Sequence, residues 1–147
     1  MYQRILVPVD GSPTSSAGLA EAIKLAKLTG GRLQLVHVID EMPMILGAEG
    51  YGSMATDLIG IMKEGGQTIL DTARALAEKS GIQVEACLFD NLNGRLSEHV
   101  ARQALQWKAD LIVLGTHGRR GVERMVLGSG AEQILRSSPV PVLLVRG

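Results

Sequence analysis

The sequence is short of cysteine, of aromatic residues and of net charge. Its one cysteine, Cys87, excludes an internal disulfide. Set in a strand pattern, it reads as a small buried hydrophobe rather than a nucleophile. Aromatic residues make up 3% of the chain, and 15 Lys and Arg balance 15 Asp and Glu. Without a basic surplus or rings to stack on bases, the chain is not read as a general nucleic-acid binder. No apolar run approaches the ~20 residues that span a bilayer. Met1 to Ile5 enters a strand pattern at once, without the layout of a signal peptide, so the expected location is cytoplasmic. No His/Cys/Asp/Glu cluster has metal-ligand spacing. Nucleotide motifs are missing too. There is no G-x-x-x-x-G-K-[ST] loop, and no G-x-G-x-x-G follows the first strand. A receiver domain would want clustered acids after strand one and a lysine after strand five, where this chain has only Asp10 and Arg146.

What is present fits one domain over residues 1–147, long enough to bury a core. Arg4 to Val9 is almost wholly apolar, as in a strand buried on both faces. Asp10-Gly11-Ser12-Pro13 breaks it, with Ser12 as helix N-cap and Pro13 as first helical residue. Leu19, Ala22, Ile23 and Ala26 follow at helical spacing, and Gly30-Gly31 stops that helix. Leu33 to Ile39 is the second strand. Asp40 to Ala55 has no clear period. A second helix is expected from Thr56 to Ser80, with Leu58, Ile61 and Met62 as one apolar stripe and Ile69, Ala73 and Leu76 as another. Gly65-Gly66 argues against one straight rod. Ile82 to Leu88 alternates like a half-exposed strand near an edge. A third helix presents Leu96, Val100, Ala104 and Trp107. Asp110 to Leu114 is a strand, Ser129 to Arg136 a short helix, and Val140 to Val145 the last strand. His37 reads as packed and His99 as solvated.

Strands alternating with helices define an α/β, Rossmann-like fold with a five-stranded parallel sheet and helices on both faces. Placing the two most apolar strands at the centre gives the order 3-2-1-4-5. Ligands bind beyond the carboxyl ends of strands where such an order reverses. Asp10 and the stretch Gly115 to Ser129 both fall there. That stretch, GTHGRRGVERMVLGS, joins a strand to a helix, with glycines at its ends and Arg119, Arg120 and Arg124 between. Glycine permits close backbone approach, and a helix start near Gly128-Ser129 turns free N–H groups toward an anion. A phosphate-binding loop and an ordinary surface loop are the two readings; strand, arginines and helix together favour the first. The last strand would be an apolar edge, which a second copy could cover.

The spacing Gly115-x2-Gly118-x9-Gly128-Ser129 resembles the ATP-binding branch of the universal stress protein family. Ile5 to Ser12, His37-Val38-Ile39, Asp110 to Gly118 and Ser138 to Val142 also resemble landmarks of that family. The resemblance implies a regulatory or stress-response ATP binder, with Mg²⁺ carried in on the phosphates, rather than an enzyme. It implies that Pro8, Val9, Asp10 and Val38 line the adenine and ribose end. It also implies that Gly115, His117, Gly118 and Arg119 hold ribose and inner phosphates, and that Gly128 and Ser129 receive the outer ones. Val9 and Val38 also suit plain core, and Asp10 also suits a helix cap. The implied assembly is a homodimer through the C-terminal strand, open to higher oligomers. The implied partner is a regulated protein, a membrane transport protein being one candidate. A slow ATPase and a nucleotide-independent interaction module are the competing functions.

Overall fold

A computed structural model describes residues 1–40, 52–90, 92, 94–116 and 127–147. The elements are β1 (Arg4–Pro8), α1 (Pro13–Thr29), β2 (Arg32–Ile39), α2 (Gly52–Lys79), β3 (Val84–Asp90), α3 (Leu96–Gln106), β4 (Leu111–Thr116), α4 (Ser129–Ser137) and β5 (Val142–Arg146). The strands form one parallel sheet in the order β3-β2-β1-β4-β5. Fold class and strand order are as the sequence implies.

Alternation along each strand sends side chains to two separate cores. Ile5, Val7, Leu33, Leu35, Leu111 and Val113 face α1 and α2, where they meet Leu19, Ala22, Leu70 and Ala73. Leu6, Val36, Ile112 and Leu114 face α3 and α4, where they meet Val100, Ala104, Trp107 and Ile134. Burial on both faces explains why β1 and β4 read as unbroken apolar runs.

The helix ends follow local chemistry. The Ser12 hydroxyl accepts the Ser15 N–H, Pro13 opens α1, and Gly30 closes it in the left-handed region at φ 71°. At the amino ends of the strands, the Asp110 carboxylate accepts N–H bonds from Gln3 (2.9 Å) and Arg4 (3.0 Å). The Arg4 guanidinium donates to the Trp107 carbonyl at 2.7 Å. Arg4 and Arg32 both lie 5.7 Å from the Trp107 ring centre, a cation–π arrangement.

Three readings are corrected. Gly65-Gly66 does not interrupt α2, which runs unbroken for 28 residues. A Cβ on Gly66 would come within 2.9 Å of the His37 ring and 3.0 Å of Leu88, so the glycine serves close helix–sheet approach. The apolar stripe at the start of α2 does not become core: Ile61 is 64% and Leu58 39% exposed. Twenty-eight helical residues span about 42 Å, against about 26 Å for the eight of β2, so α2 overshoots the sheet. Farther along α2, Leu70, Ala73 and Ala77 are buried while Leu76 stays 48% exposed, a shift of one position from the expected stripe. Among the described residues, no helix is long and apolar enough to cross a membrane.

Candidate functional site

The strand order reverses between β1 and β4, and a cavity of about 130 Å³ opens at their carboxyl ends. Five of the expected residues line it: Pro8, Val9 and Asp10 from the end of β1, Val38 from β2 and Gly115 from β4. Gly128 and Ser129 stand at the head of α4, whose Ala131 and Ile134 also face the cavity. His117, Gly118 and Arg119, with Arg120 and Arg124, lie outside the described residues.

Each placed residue has a local reason to be there. Asp10 is exposed and braces its own turn, its Oδ1 accepting the Ser12 N–H at 2.8 Å. Its N–H donates to the Ser15 hydroxyl at 3.1 Å. The helix cap is therefore Ser12, and Asp10 holds the turn ahead of it. Val9 is buried. Its N–H donates to the Val36 carbonyl and its carbonyl accepts from His37 Nδ1 at 2.7 Å. A carbonyl only accepts, so His37 carries its proton on Nδ1. Val38 is partly buried on the α3 face of the sheet, an apolar wall at the cavity.

The two end glycines of the central stretch differ. Gly115 is a strand residue, paired in register with Val145, rather than the first residue of a loop. A Cβ there would run into the Thr14 carbonyl, and a Cβ on Gly18 would come within 2.9 Å of the Gly115 nitrogen. Gly18 and Gly115 thus let α1 and β4 touch backbone to backbone. Gly128 is the N-cap of α4, with extended backbone (φ −65°, ψ 157°) and, among the described residues, open space where a Cβ would go. It offers no side chain to cap the helix, whose hydrogen-bond ladder begins with the Glu132 N–H donating to the Gly128 carbonyl. The earlier N–H groups of α4 lie ahead of that ladder, where an anion can accept from them.

His37, Leu96, Thr14, Ser15, Leu114, Ala131 and Ile134 complete the lining, and sequence reading did not single them out for the site. Periodicity marks Leu96 and Ile134 as apolar helix positions without telling a cavity wall from a core. Gly18 was findable, because an isolated glycine inside a helical pattern asks for a packing reason.

Two titratable groups near the sheet's β3 edge stay outside the site. His99 is buried, not solvated: its ring stacks on Phe89 at 4.8 Å and its Nε2 donates to the Asp90 carbonyl at 2.9 Å. Its periodicity position faced β3, which the sequence alone did not place. Burial, and secondarily the Glu85 carboxylate, push the Cys87 thiol above its ordinary pKa. Among the described residues, no group of three His, Cys, Asp or Glu could hold a metal ion.

The fold defines a doubly wound α/β domain with a cleft at its switch point. The family model described as "Universal stress protein family" matches residues 1–146, and the chain belongs to that family. It is 35% identical to the universal stress protein MJ0531 of Methanocaldococcus jannaschii, over 99% of this chain and 83% of that one. A crystal structure of a universal stress protein family member from Burkholderia pseudomallei is 32% identical, with TM-score 0.75, covering 98% of this chain and 96% of that one. The structure of hypothetical protein MJ0577 superposes with TM-score 0.80 at 26% identity, covering 100% and 97% of the two chains. The same fold occurs in an Archaeoglobus fulgidus universal stress protein solved in complex with dAMP, at 22% identity and TM-score 0.68, covering 98% of both chains.

Proposed function

We propose that this chain is an ATP-binding regulatory protein of the stress response. The observation that carries the reading is the uncapped start of α4 beside a cavity formed by Asp10, Val38 and Gly115. Val38 and Pro8 form an apolar wall for adenine, with Val9 behind them, and Asp10 accepts from a sugar hydroxyl or the adenine amine. Gly115, His117, Gly118 and Arg119 hold ribose and inner phosphates. Gly128 and Ser129 donate N–H and hydroxyl bonds to the outer phosphates, with Mg²⁺ carried on them. The nucleotide would set the conformation of the connection between β4 and α4, and a partner would read that surface. A membrane transport protein is one candidate partner.

We further propose a homodimer through β5. In the described residues β5 is the sheet's outer strand beside β4, and its Leu143 is 38% exposed. An apolar outer strand is covered by its own copy in a two-fold pair.

The test of nucleotide binding is titration of ATP into nucleotide-free protein, wild type and Gly128→Val. The open space at Gly128 leaves the fold intact, while valine blocks phosphate approach. Affinity should fall by about tenfold or more with the loss of charge-assisted bonds. Equal affinity in the two proteins would refute the site. Little ADP formed over hours would support the regulator over the ATPase.

A further inference from the structure

A larger cavity, of about 530 Å³, lies along the seam between α1 and α2. It exists because the two helices pack on different strands: α1 sits over β4 and β1, α2 over β2 and β3. Its walls are mostly carbon, from Val9, Leu19, Ile69, Ala73 and Leu76. Of the four hydroxyl residues that line it, Ser15 and Thr68 are engaged elsewhere. Ser15 accepts the Asp10 N–H, and Thr68 donates to the Glu64 carbonyl. Among the described residues one charged side chain lines the cavity, Lys79, and no carboxylate does. From Thr68 to Lys79 the seam runs about 16 Å at the helical rise of 1.5 Å per residue. This is an elongated hydrocarbon slot with a single cation at one end, in the size range of small-molecule sites.

We propose that this seam binds a small amphiphilic carboxylate, its aliphatic tail lying toward Val9 and its carboxylate at Lys79. Leu76, half exposed in the chain alone, would be covered by the tail. Charge decides against a second copy of the chain as occupant. A two-fold contact sets the same patch against itself, so each Lys79 ammonium would be covered by a lining that, among the described residues, offers it no carboxylate. The proposal goes beyond nucleotide binding and does not depend on it.

The test is calorimetric titration of decanoate, below its micellar concentration, into the full chain, with octanoate and decanol as companions. Saturable binding is expected, weakening about fourfold for each CH₂ removed from the tail. Lys79→Met should weaken decanoate roughly two- to fivefold and leave decanol unchanged. Ala75→Trp fills the slot from an exposed position and should weaken both ligands by about tenfold or more, with an unchanged melting temperature. Thr72→Phe provides the same block at a second exposed position. Absence of saturable decanoate binding to the wild type would overturn the proposal. So would equal binding by both filled variants, or a wild-type dimer that decanoate leaves intact and Ala75→Trp splits.

Discussion

At the amino ends of β1 and β4, side chains and backbone consume one another's hydrogen bonds. Asp110 takes two N–H groups, Arg4 takes the Trp107 carbonyl, and two arginines lie against one indole. At the carboxyl ends of the same strands, Asp10 and Gly128 are exposed, α4 begins without a side-chain cap, and a cavity stands between them. Both ends of a parallel sheet leave backbone groups to satisfy. Here the amino end satisfies them internally, while at the carboxyl end, among the described residues, α4 starts without a side-chain cap. Asp110 serves the scaffold alone, whereas Asp10 braces its own turn and still stands exposed at the cavity.

That contrast can be broken by substitution. The largest effect should come from Gly115→Ala, which drives a methyl into the Thr14 carbonyl. Overpacking against backbone should cost about 3 kcal/mol in urea unfolding. A stable Gly115→Ala protein would mean that α1 can slide off β4. Asp110→Ala removes a charged acceptor from two N–H groups and should cost about 2 kcal/mol while leaving ATP affinity unchanged. A change in affinity with unchanged stability would put the two ends of the sheet in communication. Ser12→Ala deletes the α1 cap and should cost about 1 kcal/mol. Because it loosens the turn that Asp10 braces, it should also weaken ATP.

Cys87 gives a smaller, pH-dependent effect. Its thiol pKa is higher in the folded chain than in the unfolded one, so the unfolded chain releases this proton first as pH rises. The associated stability is whole below the ordinary thiol range and lost as pH climbs through the raised folded value. Cys87→Ala should flatten that part of the stability–pH curve. A thiol that alkylates at neutral pH as fast as a free cysteine would contradict its burial. The smallest effect belongs to Gly128→Ala, whose methyl meets nothing among the described residues: stability should stay within about 0.5 kcal/mol of wild type by thermal melting.

The fold was legible because its signals are local and repeated. Unbroken apolar runs named β1 and β4 as central, and Ser12-Pro13 and Gly30 bounded α1 through capping chemistry. What escaped depended on distances between elements. Nothing in Gly65-Gly66 says that His37 and Leu88 press against the helix there. Nothing near Leu58 and Ile61 says that α2 is longer than the sheet it covers. His99 shares its helical pattern with solvated histidines and differs by what β3 places beside it. Of the expected site, Pro8, Val9, Asp10, Val38 and Gly115 share one cavity, and Gly128 and Ser129 head the adjoining helix. Their roles toward nucleotide rest on the family resemblance and on titration.

The backbone contact between Gly18 and Gly115 bears on how such chains drift apart. Gly115 answers to helix packing whether or not a nucleotide is present, while Gly128 is exposed and, among the described residues, meets nothing where a side chain would begin. If the chain binds nucleotide as proposed, a descendant without that ligand would be free to lose the second glycine and would be punished for losing the first. The informative letter for sorting descendants that still bind from those that have stopped is therefore the glycine ahead of α4, and the one inside β4 would survive as a fossil of the fold.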